Sequence, residues 1–225
     1  MLSTVPRLLS FRLTRPEMLA FDRRHLLLGI LGTWIVGMGR YWDDPGAKML
    51  QHLGLGSVIY IFVLAALIWL VVLPLRVPGW TYFRVLTFIS LTSFPAVFYA
   101  IPVERFVSLD LANRLNVAFL AVVAAWRMGL LFWFLRRFTK LRRSTIWIVT
   151  LLPVCAIITG LFALNLHRVV FNIMGGIRGE TAHGSAYVVL MFLTIGSVIL
   201  VLPLLAGYLT AVQRRRSTLR SGDFD

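Results

Sequence analysis

Carboxylates are scarce in this chain: 9 Asp and Glu stand against 23 Lys and Arg, and the net charge is +14. Charge of either sign is thin. Asp, Glu, Lys and Arg make up 14% of the residues, where a soluble domain carries about 25%. That deficit argues against a water-soluble globule. A single cysteine, Cys155, excludes an internal disulfide and leaves the redox compartment unread. It reads as a small apolar filler. The 4 histidines show no H-E-x-x-H or comparable ligand spacing, so no metal site is expected. All of them sit at or beyond the ends of apolar runs, so haem between spans is not expected either. No cofactor is implied. Alternating apolar and polar segments, which a spanning barrel needs, are missing. So are linkers and low-complexity tracts.

What the chain does have is apolar sequence, 59% of its 225 residues, gathered in six runs. Each is about as long as the roughly 17–25 residues needed to cross a hydrocarbon core. The predicted spans are 26–42, 53–75, 82–103, 115–135, 146–166 and 187–212, the first being the shortest. The fold class is therefore an all-α integral membrane protein, a bundle of six transmembrane helices. Residues 1–25 form a basic N-terminal segment, 26–212 the transmembrane domain and 213–225 a basic tail that reads as mobile. Arg40-Tyr41-Trp42-Asp43-Asp44 after the first span offers no small-x-small cleavage pattern, so that span is not read as a signal peptide.

The placement of the basic residues sets an orientation. With the N-terminus in the cytoplasm, sixteen Lys and Arg fall on the cytoplasmic side. Six fall outside: Arg40, Lys48, Arg105, Arg114, Arg168 and Arg178. Arg127, inside the fourth run, completes the 23. The positive-inside rule then puts both termini in the cytoplasm. Topology and attraction to anionic lipid, at about 1 kcal/mol per basic residue near the surface, account for the charge. Nucleic acid is not expected as a partner. The partners implied are membrane lipids, with other membrane subunits or a second copy of the chain. A bacterial inner membrane is the expected location for so compact and loop-poor a chain.

Local signals add detail. Thr14-Arg15-Pro16-Glu17 reads as a capping box that starts a helix. That helix either lies in the interface or runs into the first span, and the residues before 14 read equally as an interfacial segment or a tail. The third outer loop, 167–186, carries Val169-Val170-Phe171 and Ile173-Met174, which suits a stretch lying in or dipping into the interface. Gly29, Thr33 and Gly37 share one face of the first span, and Ala121, Ala125 and Gly129 one face of the fourth, as close helix approach requires. Most tryptophans fall near span ends, as an aromatic belt requires. Pro95 and Pro203 lie at similar depths in the third and sixth runs, the pattern of a three-plus-three inverted repeat.

Three groups of residues are candidates for function. The first is an intramembrane polar face of Asn113, Asn116 and Arg127. A charge at the centre of a span costs about 2.5–3.5 kcal/mol on insertion scales. It therefore faces the bundle interior, a polar cavity or a partner, unless it snorkels to the inner interface. The second is a broken-helix path at Ser90, Ser93 and Pro95. The proline removes one backbone hydrogen bond and frees the carbonyl of Leu91, which neighbouring hydroxyls or water can satisfy. The third is a set of carboxylates and histidines outside the membrane, Asp43, Asp44, His52, Glu104 and His167, whose chemistry suits acid–base catalysis. Several of these have structural readings: Asp43-Asp44-Pro45-Gly46 as a turn, Asp110 as a helix cap. Gly54-Leu55-Gly56-Ser57 approaches the G-x-S-G pattern of rhomboid proteases, but Val58 stands where that glycine belongs, and no membership is read. No motif names a reaction. The leading expectation is a non-enzymatic transport component or a subunit of a membrane complex. The alternative is a membrane-embedded enzyme acting on a lipid or membrane substrate at the outer face, with the third group as its catalytic residues.

Overall fold

The computed structural model describes residues 3–42, 48–175 and 185–221. All regular structure among them is helical. The chain opens with two short helices, α1 (Thr4–Leu9) and α2 (Arg15–Leu19). Thr14 caps α2, and Glu17 accepts hydrogen bonds from the Thr14 N–H (2.8 Å) and hydroxyl (2.7 Å) while pairing with Arg7. These bonds, the Thr14 backbone bond foremost, hold the Glu17 carboxyl below its ordinary range. The helix stops at Leu19 instead of running onward. Asp22 then caps α3 (Arg23–Gly39), its carboxylate accepting from the His25 N–H at 3.0 Å. The segment is packed on the bundle and is not a free tail. Leu8, Leu13, Met18 and Phe21 are buried in the main core. The Trp126 indole donates to the Leu9 carbonyl (3.1 Å), and Phe11 meets Trp133 edge-on at 5.9 Å.

Among the described residues five helices are long and apolar enough to cross a membrane: Leu55–Leu75, Tyr82–Ala100, Asp110–Phe138, Arg143–Ala163 and Tyr187–Thr218. The first expected span is α3, which at 17 residues falls short of that length. A four-residue turn, α4 (Met49–His52), precedes α5 (Leu55–Val72). Then come α6 (Tyr82–Leu91), α7 (Leu109–Phe138), α8 (Arg143–Ala163), α9 (His167–Gly175) and α10 (Ser185–Ser221). The expected tail thus continues as helix through Ser221.

Side-chain contacts fix the relative directions. Gly29 meets Ser90, and Gly32 meets Phe94, so α3 and α6 run the same way. Gly37 meets Ser57 near the start of α5, so α3 and α5 are opposed. Phe88 stacks on Phe134 at 4.0 Å and Phe98 on Phe119 at 6.1 Å, which sets α6 against α7. Phe132 against Trp147 sets α7 against α8. Gly207 beside Ile148, with the Tyr208 hydroxyl on the Val71 carbonyl (2.8 Å), sets α10 against α8. The long helices therefore alternate. One end collects Arg76, Arg84, Arg136, Arg137, Lys140, Arg142 and Arg143, and we call it the basic end.

The core lies toward that basic end, around Trp80, Phe88, Phe134 and Phe138. Outward faces carry exposed apolar side chains such as Ile35, Ile59, Val63, Phe192, Ile199 and Leu202, as contact with hydrocarbon requires. Carbonyls at interrupted helix ends are met by aromatic donors. Pro74 tightens the end of α5 into a 3₁₀ turn, where Trp80 Nε1 donates to the Trp69 carbonyl at 3.2 Å. Of the two small-residue faces, Gly29, Thr33 and Gly37 are buried as the close approach demands. Ala121 and Ala125 are exposed instead, and Gly129 of that face lies beside Phe11. α6 ends before Pro95, whereas α10 runs unbroken through Pro203, so the paired interruption is present in one half only.

Candidate functional site: a two-arginine cavity

The feature that breaks α6 is local. Pro95 has no N–H to give the Leu91 carbonyl. The helix ends at Leu91 and the chain continues as a 3₁₀ stretch, Phe94–Ala100. Hydroxyls close the loose end. Thr92 donates to the Ile89 carbonyl at 2.8 Å and Ser90 to that of Thr87 at 2.9 Å. Thr33 of α3 donates to the Gly29 carbonyl at 2.8 Å and approaches the Ser90 carbonyl at 3.3 Å. The narrower 3₁₀ stretch no longer fills the space a full helix would, and a cavity opens beside it.

This cavity has a volume of about 320 Å³. Thr33, Val36, Arg40 and Tyr41 form the α3 wall. Gln51 and Gly54 lie at the turn, and Gly56, Ser57, Tyr60 and Ile61 on α5. Ser93, Ala96 and Tyr99 come from the broken segment, Arg127 from α7 and Val170 from α9. Gly54 is required here. It caps α5 at φ 66°, and a methyl group on it would stand 2.6 Å from the Met38 nitrogen. The close crossing of α3 and α5 at that point forms one wall.

Two guanidinium groups dominate the lining. Arg127 lies over the Tyr60 ring at 5.8 Å, and its Nη2 is buried with no hydrogen-bond partner among the described residues. Arg40 lies over Tyr99 at 4.8 Å and Tyr41 at 5.6 Å. Among the described lining residues there is no carboxylate. By helical rise Arg127 is about 16 Å from the basic end of α7. Its partner Tyr60 is near the start of α5, so the guanidinium turns away from that end.

The expected residues fall in three places. Arg127 and Ser93 line the cavity. Ser90 and Pro95 are buried behind its wall. Asn113 and Asn116 lie further along α7, the nearer about 16 Å from Arg127 by helical rise, and are not in the lining. Asp43 and Asp44 lie outside the described residues. Glu104 sits in a 3₁₀ turn, Val103–Arg105. His52 is exposed at the end of α4. His167 opens α9 with its ring 5.2 Å from Phe162 and its Nδ1 buried without a partner. Among the described residues no three His, Cys, Asp or Glu side chains gather as a metal site would need.

Arg40, Tyr60, Tyr99, Gln51 and Ser57 were not foreseen as site residues. Arg40 reads in sequence as a charge at the end of a span, and Tyr60 and Tyr99 as ordinary apolar positions. The one signal was Tyr60, in an apolar run whose only other hydroxyl is Ser57. Comparison of the chain with protein-family models, curated proteins and solved structures finds no match.

Proposed function

We propose that the chain is a membrane transport component, non-enzymatic, whose solute path runs through the two-arginine cavity. In this reading α3 is a sixth span and both termini face the cytoplasm. The alternating directions of α3, α5, α6, α7, α8 and α10 support six crossings. The gathering of basic residues at one end supports a cytoplasmic basic end. The observation that carries transport is the cavity itself: a largely apolar space between the long helices, walled by an interrupted helix and lined by two arginines. Backbone that leaves the helical path within a membrane is tolerated where it lines such a space, and discontinuous helices form the substrate sites of many secondary transporters.

The test needs no knowledge of the solute. Ser57→Cys and Ser93→Cys are introduced separately into a Cys155→Ser background. Each is treated with a membrane-impermeant maleimide in right-side-out and in inverted vesicles. A transport path gives labelling from both faces. Labelling from one face only, or from neither, overturns the reading, because a route must open to each side in turn.

A further inference from the structure

We propose that the cavity binds one small organic oxyanion, a carboxylate or phosphate on a compact apolar body, held by Arg127 in the space whose wall Arg40 also lines. The inference rests on the cavity that carries the transport reading and adds the class of ligand. Among the described residues Arg127 Nη2 is buried and has no hydrogen-bond partner. A buried charged donor without a partner is costly, and removal from water raises that cost. Stacking on Tyr60 offsets part of it. The N–H groups of a guanidinium lie in one plane as a fork. The acceptor that suits such a fork is a planar carboxylate or a phosphate, which two N–H groups can hold together.

The rest of the wall agrees with this ligand. Three described carboxylates are engaged elsewhere: Glu17 with Thr14 and Arg7, Asp22 with His25, and Asp110 with Arg114. Gln51 uses its side-chain oxygen to accept from the Lys48 N–H at 2.7 Å, which leaves its NH₂ as the remaining polar end. Val36, Ile61, Ala96 and Val170 supply apolar surface beside the charge. Size favours an organic occupant over a bare halide. A volume of about 320 Å³ is roughly twenty times the ~15 Å³ that one water-sized ion needs. It stands at the lower end of the roughly 300–1,000 Å³ typical of organic ligand pockets.

The purified full-length protein in lipid-depleted detergent is titrated with sodium benzoate and with sodium phosphate, against sodium chloride at equal ionic strength. Thermal unfolding is the readout, since a ligand of the folded state raises Tm with concentration. A saturable rise with benzoate or phosphate, absent with chloride, is expected. Arg127→Gln should weaken binding about 10-fold or more, and Arg137→Gln at the basic end should leave it unchanged. If Arg127→Gln cannot be purified, Arg40→Gln takes its place. No rise above chloride, or an equal rise in the cavity variant, overturns the proposal.

The source of the oxyanion is separated in nanodiscs of phosphatidylcholine with and without phosphatidylglycerol. If the group belongs to a lipid, phosphatidylglycerol displaces benzoate and stays with the wild type but not with Arg127→Gln. If it belongs to a free solute, the lipid does not compete. Either outcome supports the oxyanion site. Anion binding with one-sided maleimide labelling keeps the ligand and removes transport. Two-sided labelling with no anion effect does the reverse.

Discussion

At the scale of single residues, the bundle is set by where side chains are missing. α3 and α6 touch because Gly29 has none: a methyl group there would lie 2.1 Å from Ser90 Oγ. Gly54 combines that constraint with a left-handed backbone, φ 66°, and with neighbouring backbone atoms that cannot swing aside. Gly54→Ala should therefore destabilise by about 1–3 kcal/mol through overpacking and strain. Gly160→Ala, on a helix with open space around it, should leave stability level or slightly raised. Thermal unfolding of both variants in one detergent checks this, and equal Tm values would remove the close crossing from the account. The small face of α3 was legible because a spacing of four residues is a helical property visible in one dimension. The meeting of Arg40 and Arg127 was not. They are 87 positions apart, and nothing local to either says that a broken α6 leaves room between them.

At the scale of elements, apolar runs located helix centres better than helix ends. The run at 115–135 is the middle of α7, which extends from Leu109 to Phe138. Polar residues such as Asp110 and Arg136 continue a helix where it leaves hydrocarbon, and a hydropathy pattern cannot mark that continuation. The proline in α6 was legible as an interruption. That its consequence is a 3₁₀ stretch with a cavity beside it depends on α3 and α7, which the run itself does not contain. The Thr14–Glu17 capping box was readable because its bonds are local. It also carries a pH dependence. The Glu17 carboxyl is held below its ordinary value of 4.5 by the Thr14 backbone bond, then by the Thr14 hydroxyl and Arg7. A lowered folded-state value means its contribution is complete above pH 4.5 and is lost as pH falls through the lowered value. Hydrogen exchange over residues 4–19 should accelerate in that acid window. Glu17→Gln should show fast exchange at neutral pH and a flatter dependence, and an unchanged wild-type rate down to the acid limit would exclude the coupling.

At the scale of the whole molecule, direction and charge make one joint prediction. Lys140 sits between α7 and α8 at the basic end, and Lys48 precedes α4 at the other. In a Cys155→Ser background, Lys140→Cys should react with an impermeant maleimide only in inverted vesicles and Lys48→Cys only in right-side-out ones. The opposite pattern would reverse the orientation, and labelling of both from one face would break the alternation of helices. A different consequence follows from the seat of α1 on α7. Leu9 and Trp126 are bonded across 117 positions of chain. At roughly 5–20 residues per second of synthesis, about 6–23 s separate the appearance of one from that of the other. Throughout that interval Leu8, Leu13, Met18 and Phe21 have no core to enter. These residues are made before the helix that seats them and settle after it, so the segment's arginines and apolar side chains wait unpacked while the intervening helices form.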